Sequence, residues 1–250
     1  MAIDSHTHIN SLVLSNPNQE IQRINEDTSL SQLINISLNI KTAEESIAIS
    51  EHNPKFYSTV GIHPLYIENQ DLEELIKLAR HNKVVAIGEI GLDPSNNNYQ
   101  EQLEYLIRQI IIANELQLPV IIHANNTNHE IVNIFKTIIK PLYGCVFHCF
   151  QPDIETMKYL ISNGYYISFA GKITYKNAKK SLEIAHLIPD ELFLVETDSP
   201  YISPEPYRNE LNSSTNLNLI IKRLAEVRRT TYEDIESQTI ENTKRLFKKL

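Results

Sequence analysis

The sequence predicts an α/β fold, a (β/α)8 barrel of the TIM type in a single domain, and three observations predict it. Short runs rich in Ile and Val recur along the chain, each followed by a polar turn and then a longer stretch with apolar residues three and four apart. Eight such runs can be placed, which favours closure into a barrel over an open doubly wound sheet. The length of 250 residues suits one barrel, and no linker interrupts it.

Taken in order, the first strand is Ala2 to Asp4 and the second Leu33 to Leu38. No helix is placed between them. Ala43 to His52 then has helical spacing and precedes a third strand at Tyr57 to Gly61. The helical stretch Asp71 to His81 opens on a residue suited to capping, and the fourth strand, Val84 to Gly88, leads to the long helix Tyr99 to Leu116. The fifth strand, Val120 to His123, is paired with the helical stretch Asn128 to Ile139. The sixth, Cys145 to His148, is paired with Asp153 to Asn163, where Asp153 can cap and Asn163-Gly164 can close the helix. Tyr165 to Phe169 and Asn177 to His186 form the seventh unit, and Leu192 to Glu196 is the eighth strand. A Pro-rich loop from Ser199 to Tyr207 then leads to helices at Leu217 to Arg228 and Tyr232 to Lys249. Strands that read as continuous apolar runs are buried on both faces, which requires a parallel sheet covered by helices.

Composition narrows the functional classes. Apolar residues at 42% and charged residues at 22% predict a packed core and argue against disorder. A net charge of -8 and a pI near 5.6 count against a broad basic surface for nucleic acid, although they leave room for an enzyme that grips phosphate through bound cations. No window approaches the roughly 18 to 20 apolar residues of a membrane span, and the Met-Ala-Ile-Asp-Ser-His start has neither the basic nor the apolar part of a signal peptide. The expectation is a cytoplasmic protein with no membrane and no obligate protein partner. Two cysteines, Cys145 and Cys149, exclude a disulfide framework as the organising device, and Cys149 reads as a buried thiol.

The chemistry-bearing residues collect at strand exits. His6 and His8 leave the first strand two residues apart, so in extended backbone their imidazoles point to one side. Glu89 closes the fourth apolar run, where a core position calls for Val or Leu; His123 closes the fifth, His148 the sixth, and Asp198 follows the eighth. In a closed parallel barrel all of these exits face one rim, so six side chains far apart in sequence come together. Four imidazoles and two carboxylates suit two divalent cations, Mg²⁺, Mn²⁺ or Zn²⁺, with Glu89 as the natural bridge because it has two oxygens to share. Such a site can acidify a bridging water and stabilise an oxyanion, which is the chemistry of hydrolysis.

The chain resembles the TatD family of metal-dependent deoxyribonucleases within the amidohydrolase superfamily. The matching segments are Asp4-Ser5-His6-Thr7-His8, Gly61-Ile62-His63-Pro64, Gly88-Glu89-Ile90-Gly91-Leu92-Asp93, Pro119-Val120-Ile121-Ile122-His123, Phe147-His148-Cys149-Phe150, Gly171-Lys172-Ile173-Thr174-Tyr175-Lys176-Asn177 and Glu196-Thr197-Asp198-Ser199-Pro200-Tyr201, with a closing pattern from Thr239 to Phe247. The resemblance implies metal ligation by His6, His8, Glu89, His123, His148 and Asp198, and DNA hydrolysed from an end. It also implies that His63 lies beside the metals as a second catalytic or substrate contact. Asp198 and Glu89 are expected to act in catalysis as well as in ligation. Lys172, Lys176 and Arg208 are candidate phosphate contacts, and Phe150, Tyr201 and Tyr207 candidate surfaces for stacking on bases.

Departures from the family pattern spare the ligands and fall around them. An Arg and an acid usually follow the fifth-strand histidine, but here the segment is His123-Ala124-Asn125-Asn126-Thr127. After the eighth strand, Ser213 and Ser214 replace a Glu-Pro pair, and Asn10 stands where Asp is common. With no guanidinium beside His123, hydrolysis of a carboxylic ester or amide, such as the ester of a misacylated tRNA, is the alternative reading. An inactive metal-binding scaffold is a third, opposed by the complete set of candidate ligands.

Overall fold

The computed structural model describes residues 1–250. Eight parallel strands pair in sequence order: β1 (Ala2–Thr7), β2 (Leu30–Asn35), β3 (Phe56–Val60), β4 (Val84–Leu92), β5 (Val120–Ala124), β6 (Cys145–Phe147), β7 (Tyr166–Phe169) and β8 (Phe193–Val195). The sheet nearly closes on itself. The closing contact is an isolated parallel bridge between Thr7 and Ser199, where His8 N donates to Ser199 O at 2.7 Å and Asp198 N donates to His6 O at 2.9 Å. Asp4 staples the same seam from below, since its carboxylate accepts Thr197 N at 2.9 Å and the Thr197 hydroxyl at 2.6 Å.

Helices α2 (Ile40–His52), α3 (Leu72–Ala79), α4 (Tyr99–Leu116), α5 (Asn128–Thr137), α6 (Ile154–Ser162), α7 (Lys179–Leu187), α8 (Leu217–Arg228) and α9 (Tyr232–Leu246) agree with the expected stretches to within a few residues at each end. Asp71 and Asp153 cap α3 and α6 as expected, each accepting a backbone N–H of the first turn. The helix α1 (Pro17–Glu26) was not foreseen. Its signal is local and polar: Asn16 caps it, Pro17 opens it, and Ile24 is its one buried apolar residue, so the segment is polar on average and carries no apolar run.

Strand limits needed larger corrections. β2 begins three residues earlier than expected and ends at Asn35, because Leu30 is buried and pairs beside Ala2, whereas Ser37 and Leu38 already belong to the rim. β4 runs on through Glu89 to Leu92, all nine residues buried. Two glycines make that extension possible. A Cβ at Gly91 would sit 1.8 Å from His123 O, and one at Gly61 would sit 2.4 Å from the Gly88 carbonyl carbon, so β3, β4 and β5 approach each other more closely than any side chain allows.

One apolar layer lies between strands and helices, built from residues such as Leu33, Phe56, Val120, Phe147 and Phe193. A second fills the barrel interior with Ile34, Ile36, Val85, Ile121, Val146, Tyr166 and Leu194, and Leu246 and Phe247 join it from the end of α9. The C-terminal segment therefore crosses the lower mouth: Leu246 packs against Gly144 ahead of β6, and Lys249 Nζ donates to Val84 O at the start of β4 at 2.7 Å. Phe247 is fully buried there. Phe247→Ala is expected to destabilise the metal-free protein by about 3–5 kcal/mol, the cost of an unfilled aromatic cavity. Urea unfolding measures it, and a change under about 1 kcal/mol would show that the lower mouth is not held this way.

Candidate metal centre

Backbone geometry delivers the six side chains. His6 lies in β1 one residue before its end at Thr7, His8 follows the strand, and the seam bonds to Asp198 and Ser199 draw the segment after β8 alongside both. His6 Nε2 and His8 Nε2 consequently lie 3.2 Å apart, with Asp198 Oδ1 at 3.7 Å from the first and 3.4 Å from the second. Glu89 reaches in from β4 and divides its oxygens. Oε2 faces His6 Nε2 at 3.4 Å and His8 Nε2 at 3.7 Å. Oε1 faces His148 Nε2 at 2.7 Å, His123 Nδ1 at 2.8 Å and His63 Nε2 at 3.6 Å. Three groups, His6/Glu89/His148, His6/His8/Asp198 and His63/Glu89/His123, each gather ligand atoms within 4.8 Å of one another.

Electrostatics couples the groups. Burial alone would raise the Glu89 carboxyl, but the fields of His148 and His63 and hydrogen bonds from His123 and His148 bring it well below the carboxylate range. Burial likewise opposes ionisation of Asp198, and the hydrogen bond from His8 with the fields of His148 and His6 lowers it. At His148 burial is outweighed by Glu89 and Glu196, so the ring is held well above its ordinary value, whereas burial and the neighbouring His148 lower His6. His63 is pushed down to about 3 by burial.

These residues fit divalent cations. Two pairs of ring nitrogens face each other, His6 Nε2 with His8 Nε2 and His148 Nε2 with His123 Nδ1 at 3.4 Å, and where neither ring carries its hydrogen at the contact a cation beside them would take both lone pairs. The Nδ1 atoms of His6, His8 and His148 are buried without hydrogen-bond partners, so the polar capacity of these rings is directed through Nε2 into the cluster. A mixed nitrogen and carboxylate set of this kind suits Zn²⁺ or Mn²⁺ and admits Mg²⁺.

The family model described as TatD related DNase matches residues 3–248. The chain belongs to the TatD family of metal-dependent hydrolases. Among relatives in this family, an uncharacterized metal-dependent hydrolase of Bacillus subtilis, YabD, is 32% identical over 253 residues, covering 99% of each chain. A protein of Escherichia fergusonii named 3'-5' ssDNA/RNA exonuclease TatD is 32% identical over 220 residues, 84% of each chain. The crystal structure of YjjV, a TatD homologue from Escherichia coli, superposes with a TM-score of 0.90 at 27% identity, covering 99% of this chain and 98% of that one.

Within this TatD-family barrel the six expected ligand residues share one cluster, and His63 joins them at its edge. His63 Nδ1 accepts Leu65 N at 3.1 Å, which leaves the ring hydrogen of the neutral form on Nε2, the atom facing Glu89. Lys172 lines a cavity of about 240 Å³ together with His123, Asn125, Cys149, Gln151 and Asp198. Lys176 is exposed and does not line that cavity. Arg208 also stands outside it, with its guanidinium 4.2 Å over the Tyr175 ring. Tyr201 is half exposed and meets His8 edge-on at 5.8 Å, whereas Phe150 is buried and offers no stacking face.

Sequence reasoning gave no role to Asp4, Asp93 or Glu196, all buried around the cluster. Glu196 accepts Cys149 N and the Ser168 hydroxyl, each at 2.6 Å, and stands 3.5 Å from His148 Nδ1. Each of these acids lies an even number of residues from a ligand: Asp4 two before His6, Asp93 four after Glu89, Glu196 two before Asp198. In regular extended backbone that spacing keeps side chains on one side, which was the signal available, although the strand register shifts between Asp4 and Thr7 and between Ile87 and Ile90, and Asp198 has a φ of 54°. Asn212 supports the same segment: its amide donates to Thr197 O and Tyr201 O, both at 2.8 Å, and so fixes the stretch carrying Asp198.

Proposed function

We propose that this chain hydrolyses phosphodiester bonds of nucleic acid, DNA first, with His6, His8, Glu89, His123, His148 and Asp198 holding two divalent cations. The division of Glu89 between two sets of imidazoles carries the reading, because one carboxylate serving two centres is what a paired site requires. When bound, the cations supply positive charge against a developing oxyanion and lower the pKa of water in the site. Asp198, ionised at neutral pH, takes the proton of the attacking water at its carboxylate. His63 presents its Nε2–H at the edge of the cluster, 3.6 Å from Glu89 Oε1, as a donor for a phosphoryl oxygen bound there. Lys172 offers its ammonium to the phosphate chain in the adjoining cavity. The single-stranded end specificity named for the Escherichia fergusonii relative supports nucleic acid as the substrate and an end as the point of attack.

The test is incubation of metal-reconstituted protein with end-labelled single- and double-stranded DNA beside a simple carboxylic ester, with and without chelator. Metal-dependent release of nucleotides is expected. Turnover of the ester alone would replace this reading with the ester hydrolase. For Lys172→Ala the expectation is a KM for DNA raised about 10-fold with kcat nearly kept, since one charge-assisted contact of about 1.5 kcal/mol binds ground and transition states alike. A fall in kcat at unchanged KM would place Lys172 in the chemistry instead.

A further inference from the structure

A carboxylate outside the candidate ligand set grips one of its imidazoles. Asp93, buried just past β4, places Oδ2 at 2.9 Å from His123 Nε2, while the opposite ring nitrogen lies 2.8 Å from Glu89 Oε1. No other imidazole of the cluster is treated this way. At His6 and His8 the outer nitrogen has no partner, and at His148 the outer carboxylate, Glu196, stands off at 3.5 Å.

Asp93 is itself clamped. Asn125 Nδ2 donates to its two oxygens at 3.2 and 3.3 Å, and Ser95 N donates to Oδ1 at 2.9 Å. Gln151 Nε2 in turn donates to Asn125 Oδ1 at 3.3 Å, and Gln102 holds the Asp93 backbone by its N–H and its C=O. An ionised carboxylate has only acceptors, so the direction of the amide bonds is forced: Gln151 donates to Asn125 and Asn125 to Asp93, and any hydrogen Asp93 shares with His123 comes from Nε2. Two carboxylates compete for the one hydrogen of a neutral His123. If Glu89 takes it at Nδ1, a cation beside Glu89 loses the ring's lone pair and part of the carboxylate together. If Asp93 takes it at Nε2, both remain available.

We propose that Asp93 is a positioning residue of the metal centre, fixing His123 with its hydrogen on Nε2 and its Nδ1 lone pair turned to the cation beside Glu89, and that Asn125 is the clamp holding Asp93 to this task. The inference rests on the proposed role of His123 as a ligand. It also gives Asn125, which departs from the family pattern, a function of its own: its amide nitrogen is held by the two oxygens of Asp93.

The test uses the full chain with Zn²⁺ alone. In protein labelled with ¹⁵N at histidine, the Zn²⁺-loaded wild type is expected to show a His123 Nε2–H resonance slow to exchange with water. Asp93→Ala should lose that protection and bind Zn²⁺ roughly 10- to 100-fold more weakly in competition with a chelator, the scale of losing an outer partner of a ligating histidine. Asn125→Ala, on the partly exposed rim, should speed the exchange and weaken Zn²⁺ several-fold; it carries the test if Asp93→Ala does not fold. Melting curves of the metal-free variants control for stability. Wild-type Zn²⁺ affinity and wild-type exchange in both variants would overturn the proposal and leave the metal centre standing, whereas a wild type that binds no Zn²⁺, Mn²⁺ or Mg²⁺ would overturn the metal centre itself.

Discussion

Glu89→Gln is expected to lower kcat/KM by roughly 10³-fold or more, equivalent to about 4 kcal/mol of transition-state stabilisation. The substitution keeps the shape of the side chain and removes what the site uses. An amide has one acceptor oxygen where the carboxylate has two, and whichever way it turns, its NH2 faces either the Nε2 atoms of His6 and His8 or the inward nitrogens of His148 and His123. One of the two cation positions must therefore confront a donor. The negative charge that offsets His148 and His63 is lost as well. Elemental analysis after reconstitution should show about half of the wild-type metal or less, and circular dichroism an unchanged fold, because Glu89 bonds to imidazoles and not to the strand ladder. A variant retaining both full metal content and full activity would remove Glu89 from its bridging position.

The barrel was legible because its signal is redundant. Eight apolar runs with polar exits leave few alternatives, and errors of a few residues at strand ends do not disturb the order β1 to β8. The six ligand candidates were legible for a related reason: Glu89, His123 and His148 are polar residues at the end of runs that are otherwise apolar, and nothing in a core accounts for them. Helix α1 is not marked by any apolar run because most of its residues are polar, and its Asn16 cap and Pro17 start are the cues that identify it.

The shell around the ligands was harder to read for a physical reason. The role of Asp93 depends on where its Oδ2 lies relative to one nitrogen of His123, a distance set by the close passage of Gly91 under the His123 carbonyl, and no residue spacing encodes it. Asn125 shows the same limit from the other side. On sequence it is a missing guanidinium that weakens the case for phosphate; in three dimensions it is a donor to a neighbouring carboxylate, and the cation of that wall is Lys172, brought from the loop after β7. Lys176 and Arg208, equally plausible as loop cations, fall outside the cavity.

Asp198→Asn is expected to lower kcat by roughly 10²-fold or more while metal content falls less, the usual scale for losing a positioned general base. Asparagine is the informative replacement because Asp198 has a φ of 54°, in the left-handed region that Asn tolerates better than Ala or Leu does, so the backbone turn after β8 survives. The turn is also held from outside the side chain, by Asp198 N on His6 O and by the Asn212 amide on Thr197 O. What changes is charge. The ionised carboxylate, held low by His8, His148 and His6, can accept a proton; a carboxamide oxygen at the same place can ligate weakly but cannot take the proton of the attacking water. The comparison is made at saturating metal on one single-stranded DNA substrate, so that loss of ligation and loss of the base are separated. Equal kcat for Asp198→Asn and wild type under those conditions would leave Asp198 a ligand and assign the proton to another acceptor.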